Sequence, residues 1–232
     1  MQEKPQKNLN QIYEVYEILI DYYGEPSWWP VKFSENHKEF EIIVGAILTQ
    51  NTNWSNVEKA LANFGDFLTP EKILEIDTDV LAQIIKPAGF FNQKAAYLKN
   101  ITQWFAKYDF DVEKIKRGDL HELRRELLAI KGVGEETADS ILLYAFDFPT
   151  FVIDAYTKRL ISRIFGDDDC TKYTYRYSEL KALFEQNLPS DVRVYNNFHA
   201  LIVIHAKAHC RKSKSLCEGC PLAAVICPHK NS

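Results

Sequence analysis

Nothing in the chain is apolar for long. The longest uninterrupted apolar run, Ile42 to Leu48, is seven residues, far short of the ~18 needed to span a bilayer. The N-terminal stretch MQEKPQKNLNQ is polar and mixed in charge, so it has no apolar core of the kind a signal peptide carries. A soluble, cytoplasmic protein with no membrane partner is the expectation. Positive charge is not in excess either. The 28 Lys and Arg stand against 32 Asp and Glu, a net −4, which by itself argues against unspecific binding to polyanions. Linkers rich in Gly or Ser, internal repeats and heptad runs are all missing, so any domain boundary must be a packing boundary. With 46% hydrophobic and 26% charged residues over 232 positions, the chain is neither collagenous nor disordered. It is long enough for one large domain or two modest ones.

Strand signals are scarce as well. The apolar positions repeat at helical spacing instead. Ile42, Ile43, Ala46 and Ile47 form one stripe; Leu120, Leu123, Leu127 and Leu128 another. Ala138, Ile141, Leu142, Ala145 and Phe146 form a third, and Leu160, Ile161, Ile164 and Phe165 a fourth. Between them stand stop signals: Pro26, Pro30, Pro70, Pro87-Ala88-Gly89, Gly118, Gly132, Gly134, Phe148-Pro149, Gly166 and Pro189. The pattern predicts a compact all-α protein.

What is present is concentrated near the C-terminus. From His205 to Ser232 there are five cations (Lys207, Arg211, Lys212, Lys214, Lys230) and one carboxylate, Glu218, so a nucleic-acid partner is compatible with the negative total. Of five cysteines, Cys170 stands alone and the other four fall in the last 23 residues as Cys210-x6-Cys217-x2-Cys220-x6-Cys227. Disulfides in a secreted scaffold are spread more evenly. Four thiolates in one short loop suit Zn²⁺ or a [4Fe–4S] cluster. The wide outer gaps fit the larger body of a cubane better than one ion.

Three further places hold chemistry. Ile130-Lys131-Gly132-Val133-Gly134-Glu135 lies between two amphipathic segments. Glycines there allow close backbone approach, and N–H groups opening the next helix form an anion site; a plain helix–helix turn is the competing reading. In Phe151-Val152-Ile153-Asp154-Ala155-Tyr156, Asp154 is placed as the N-cap of the helix carrying Leu160 and Ile164. A carboxylate there could also stabilise a cation developing on a sugar, and the two roles are compatible. Trp28-Trp29-Pro30 precedes the helix that ends Leu48-Thr49-Gln50-Asn51-Thr52-Asn53-Trp54. Tryptophans mostly fill cores, and two of these three are expected there. An aromatic beside polar residues at a helix end is also what a base-stacking pocket needs.

Taken in order, LTQNT (48–52), PAGFFNQKA (87–95), KGVGEETADSILLYA (131–145), VIDAY (152–156) and the cysteine loop resemble the endonuclease III superfamily of helix-hairpin-helix DNA glycosylases. The resemblance implies two helical domains, residues 34–148 and residues 1–33 plus 149–232, with damaged double-stranded DNA bound in the cleft between them. It implies a [4Fe–4S] cluster on Cys210, Cys217, Cys220 and Cys227, and a monomeric enzyme. By position, Asp154 matches the essential aspartate and Gln50 the residue that fills the gap left by a flipped nucleotide. Lys131, Gly132, Val133 and Gly134 match the phosphate-binding hairpin. The family's lyase members have a lysine two residues after the second hairpin glycine, where this chain has Glu136; without that amine no Schiff base forms there. The WWP, LTQNT and PAGF patterns instead resemble the monofunctional 3-methyladenine DNA glycosylase branch. This implies hydrolytic release of alkylated purines, with Trp54 as the stacking face, Trp28 or Trp29 opposite it and Pro30 shaping the wall. The alternative is an endonuclease III-like glycosylase and AP lyase of oxidised pyrimidines that uses another lysine, such as Lys131. The last cysteine gap, x6, differs from the family's usual x5 by one loop residue.

Overall fold

Short polar side chains set where six of the described helices start. The computed structural model describes residues 10–34, 37–165, 175–223 and 225–228. Among these there are α-helices, single 3-10 turns and no strand, as the periodicity predicts. The helices are α1 (Asn10–Tyr23), α2 (Lys38–Leu48), α3 (Trp54–Ala62), α4 (Pro70–Glu75), α5 (Thr78–Ile84) and α6 (Phe91–Ala106). They continue with α7 (Val112–Lys116), α8 (Leu120–Leu128), α9 (Glu135–Tyr144), α10 (Ala155–Ile164), α11 (Tyr177–Asn187) and α12 (Val192–Ala208). Asn53, Thr69, Asp111, Asp119, Asp154 and Asp191 each accept a backbone N–H of the first turn that follows. A cap of this kind is worth about 0.5–2 kcal/mol. No described helix is long and apolar enough to cross a membrane. Cys170 and Gly166 lie outside the described residues.

The chain divides into two compact units. One joins the segment ending at Trp28 to everything from Pro149 onward. In it α12 packs on α1 and α10, and α1 on α11. Its core holds Ile12, Leu19, Phe151, Phe184, Tyr195 and Phe198, all fully buried, with the Phe151 and Phe184 rings stacked at 4.2 Å. The other unit is Trp29–Phe148, where α2 is buried along nearly its whole length and packs on α6 and α9. The stripe Ala138, Ile141, Leu142, Ala145, Phe146 is buried as expected, whereas Leu120 and Leu128 at the ends of α8 are only half-buried.

The tryptophans differ from expectation. Trp28, Trp29 and Trp54 are all half-buried. The core tryptophan is Trp104 on α6, 3% exposed, whose indole N–H donates to Glu126 at 2.7 Å. The reason is local: Trp104 faces inward from mid-helix, whereas the other three sit in a connecting segment or on the first turn of α3.

Lys94 is the one charged side chain buried in α6. Its ammonium donates to the carbonyls of Leu48 at 2.8 Å and Ala88 at 2.9 Å, so it ties the C-terminal end of α2 to the 3-10 turn Lys86–Ala88. A cation at a helix C-terminus also faces the negative end of the dipole. Burial pushes its pKa down to about 8. Lys94→Met leaves two carbonyls without this donor and should cost about 1–3 kcal/mol in urea unfolding at pH 7. Because the folded amine loses its proton near 8 and the unfolded one near 10.5, the unfolded state binds more protons across that window. The wild type should therefore gain stability relative to the variant as pH rises from 8 to 10.5. A difference that stays flat over that range would show the amine to be solvated.

Candidate active site

In the central unit, α8 and α9 enclose the glycine hairpin. Arg124 on α8 crosses it with a two-pronged contact, Nε and Nη2 to the Asp139 carboxylate at 2.8 and 3.1 Å, and Asp139 is fully buried on α9. Gly132 has φ +103, and a Cβ built on it would overlap the Tyr97 ring. Gly134 differs: its φ is −96, and a Cβ there would meet nothing within 4 Å. The fold itself therefore demands glycine at 132 but not at 134. Val133 anchors the turn inward at 7% exposure. Lys131 is exposed, and its carbonyl accepts from Asn100 at 3.0 Å. α9 starts at Gly134 without a side-chain cap, with Glu135 and Glu136 both exposed in its first turn.

The LTQNT segment docks on this hairpin. Gln50 Nε2 donates to Gly132 O at 2.9 Å and to Thr137 Oγ1 at 3.0 Å. Asn51 follows in left-handed backbone, φ 52. Lys94 links the Leu48 carbonyl to the turn that leads into Phe90. Phe90 is the residue that sequence reasoning passed over. It is 65% exposed, with φ 46, at the start of α6. A large apolar ring held outward in strained backbone is a feature the fold does not need for its core, and apolar wedges of this kind enter base stacks. The available signal was the Gly89-Phe90-Phe91 step, two aromatics where a helix needs no more than one inward.

The aromatic residues are placed by a buried carboxylate. Glu41 on α2 is fully buried and accepts the backbone N–H groups of Lys32 at 2.9 Å and Phe33 at 2.8 Å. This fixes the strap that begins at Trp29 and Pro30. Trp29 lies against Gly45, where an added Cβ would come within 3.3 Å of the indole. Its ring meets Trp54 edge-on (5.2 Å, 85°) and Tyr144 at a tilt (5.2 Å). Trp54 is half-buried at the start of α3, where Glu58 is held below its ordinary range by Lys32 and, to a smaller degree, by the Trp54 N–H. Trp29 and Trp54 thus offer one face and one edge, not two parallel walls. Pro30 is half-buried beside Trp29, and Trp28 belongs to the other unit.

In that other unit, Asp154 caps α10. Its Oδ1 accepts from the Thr157 backbone N–H at 2.7 Å and the Thr157 hydroxyl at 2.9 Å. Oδ2 lies 3.6 Å from His199 Nε2 on α12. Burial pushes the carboxyl up, but His199 and the two Thr157 donors outweigh it and hold the pKa below the usual carboxylate range. Asp154 is therefore ionised at neutral pH.

The C-terminal loop gathers all four of its cysteines around one cavity, shared with Arg163, His205, His209 and Leu222. Arg163 Nη1 approaches Cys210 Sγ at 3.0 Å and its Nη2 donates to Arg211 O at 2.8 Å; Arg159 Nε donates to Cys210 O at 2.8 Å. His205 Nε2 lies 3.7 Å from Cys220 Sγ, with Tyr23 OH 3.1 Å from its Nδ1. Burial raises the Cys220 thiol, and the backbone N–H groups of Leu222 and Ala223 draw it back. Among the described residues no three His, Cys, Asp or Glu side chains converge on the spacing of a single ion. Four soft donors around a shared cavity, with N–H groups aimed at their sulfurs, fit a cluster.

Comparisons with known proteins place the chain among base excision DNA repair proteins. The family described as HhH-GPD superfamily base excision DNA repair protein matches residues 44–186. A protein of Methanocaldococcus jannaschii that carries a provisional name as a DNA repair glycosylase is 48% identical over 94% of this chain and 96% of its own. The endonuclease III of Sulfolobus acidocaldarius is 30% identical over 78% of each chain. Among solved structures, the H. pylori 3-methyladenine DNA glycosylase bound to 1,N6-ethenoadenine matches with a TM-score of 0.69 at 28% identity, covering 84% of this chain and 97% of that one.

The contrast between the two hairpin glycines gives a test. Gly132→Ala imposes strained backbone and an overlap with Tyr97, and should cost about 2–4 kcal/mol of stability. Gly134→Ala should melt like the wild type yet bind duplex DNA at least about tenfold more weakly, equally for damaged and undamaged DNA, because its Cβ occupies the space a phosphate would enter. Thermal melting and fluorescence anisotropy on labelled duplexes measure the two effects. Normal DNA affinity in Gly134→Ala would remove the hairpin from the interface.

Proposed function

The chain belongs to the HhH-GPD superfamily of base excision DNA repair proteins, and on that premise we propose that this DNA glycosylase is monofunctional, hydrolysing the N-glycosidic bond of alkylated purines in double-stranded DNA. The carrying observation is a pair of carboxylates in opposite circumstances. Asp154 is buried, capped onto Thr157 and held ionised, whereas Glu136 is exposed on the first turn of α9, where a lyase of this family would need an amine. Loss of the base builds positive charge on the deoxyribose. An ionised Asp154 stabilises that charge, and its Oδ2 can orient or deprotonate the attacking water. With no amine at position 136, the departing bond is replaced by one to water and the strand stays intact.

The alkylated-purine reading is supported by the aromatic set and by the similarity to a 3-methyladenine glycosylase that binds 1,N6-ethenoadenine. A methylated purine carries positive charge on its ring, and stacking it on the indole of Trp54 or Trp29 gains about 1–2 kcal/mol over a neutral base. That is about tenfold in discrimination; the weakened glycosidic bond of the damaged base supplies more. Gln50, docked on the hairpin, is the side chain for the gap that a flipped nucleotide leaves, and exposed Phe90 is the wedge beside it. Cys210, Cys217, Cys220 and Cys227 would hold a [4Fe–4S] cluster, which when bound supplies a rigid four-point anchor for the C-terminal loop and its cations.

Asp154→Asn preserves the cap, since asparagine caps as well as aspartate. It should nonetheless release 3-methyladenine from methylated duplex at least about 10²-fold more slowly. Borohydride trapping on an abasic duplex should yield no covalent adduct. An adduct that disappears in Lys131→Ala, together with release of thymine glycol in place of 3-methyladenine, would establish the bifunctional alternative.

Anaerobically purified protein should be yellow-brown with about four irons per chain. Cys217→Ser should lose the iron, whereas Cys170→Ser should keep it. Zinc in place of iron would overturn the cluster assignment.

A further inference from the structure

We propose that His199 is a positioning residue for Asp154: it pairs with Oδ2, holds that oxygen ionised inside the fold and fixes the direction in which it acts. The proposal rests on the reading of Asp154 given above and concerns how the carboxylate is kept competent.

The two carboxylate oxygens have different tasks. Oδ1 is used by the fold, since both Thr157 donors converge on it. Oδ2 is the oxygen left for chemistry, and the ring nitrogen beside it is His199 Nε2 at 3.6 Å. His199 stands on α12, which packs directly on α10, and it is 5% exposed. A buried carboxylate with a single capped oxygen would take up a proton, because desolvation disfavours its charge. An imidazole within about 4 Å reverses that preference whether it donates an N–H or carries a charge.

Two of the three cations of α10, Arg159 and Arg163, are committed elsewhere, and the third, Lys158, is half-buried on the same helix. Arg159 donates to Cys210 O and lies over the Tyr156 ring, and Arg163 reaches Cys210 and Arg211. On α11, Lys181 is bonded to Glu185 at 2.6 Å, and Glu185 accepts the Phe151 N–H. From α1, Tyr16 meets α12 through the Phe198 ring. Among the described residues, His199 is the ionisable side chain in ion-pair range of the Asp154 carboxylate.

His199 has a second property suited to this position. It sits mid-helix and is itself only 5% exposed, so its ring cannot swing away without disturbing the core. A longer or more mobile donor would satisfy the charge without fixing its direction.

The test uses the full-length protein labelled with ¹³C at the aspartate carboxyls, with Asp154→Asn identifying the Asp154 signal. Asp154 should titrate at progressively higher pH in the order wild type, His199→Gln, His199→Leu, with a shift of at least about one unit in the leucine variant. In single-turnover release of 3-methyladenine from methylated duplex, the acid limb of the pH profile should move upward in the same order. At pH 8, where Asp154 is ionised in each, His199→Gln should stay within about threefold of the wild type. If the Asp154 midpoint is the same in wild type and His199→Gln, and the rate drops by one factor at every pH, His199 is a packing residue and the proposal is overturned. If instead Asp154→Asn releases base normally while the carboxyl midpoint still moves with His199, the pairing stands and the catalytic reading of Asp154 fails.

Discussion

A charge taken out of water must find a partner, and this protein uses that constraint at four places where its backbone is held still. Glu41 is buried under the strap that presents Trp29 and pins two of its N–H groups. Lys94 is buried between the Gln50 segment and the turn before Phe90 and holds a carbonyl of each. Asp139, buried behind the glycine hairpin, is gripped by Arg124. Arg163 reaches the first cysteine of the C-terminal loop and the carbonyl beyond it. Four of the segments that carry candidate functional groups are thus tied down by a buried ion with two contacts. Apolar packing supplies the bulk of stability, but it is non-directional; the ions supply direction.

What the sequence displayed is the part governed by neighbours along the chain. The helices follow from the apolar stripes, and Asp154 caps α10 as its place before Leu160 and Ile164 implies. The hairpin lies between two helices with its glycines in the turn. What stayed hidden is the part governed by partners far away in the chain. Gln50 meets Thr137, Glu41 meets the strap nine residues before it, and Asp154 meets His199 45 positions on. Periodicity tells which face a residue occupies and says nothing of which polar atom waits on the opposite helix. The tryptophans failed for a related reason. Composition places indoles inside on average, but Trp28, Trp29 and Trp54 sit where the chain leaves or enters helices, and only Trp104 is surrounded.

The hairpin glycines, alike in sequence, have different reasons to be glycine. At Gly132 the constraint is internal: a positive φ and the Tyr97 ring leave no room for a side chain. At Gly134 the backbone is ordinary and the space around it is open, so the fold alone would accept alanine. A glycine kept where the fold has no use for it points outward, to a ligand that approaches the backbone closely. Gln50 holds the turn from the other side, its amide donating to Gly132 O in the hairpin and to the Thr137 hydroxyl on the first turn of α9.

The capping and catalytic readings of Asp154 need not compete, because they draw on different atoms. A cap requires one oxygen and a preference for the extended backbone it adopts here. Charge stabilisation requires the other oxygen, ionised and fixed. Were the residue only a cap, burial would favour serine or threonine, which meet the same N–H without placing a charge inside. An aspartate there commits the fold to neutralising Oδ2, and the interior answers with an imidazole from α12. The expense of that arrangement makes sense when the charge itself is what the site must deliver.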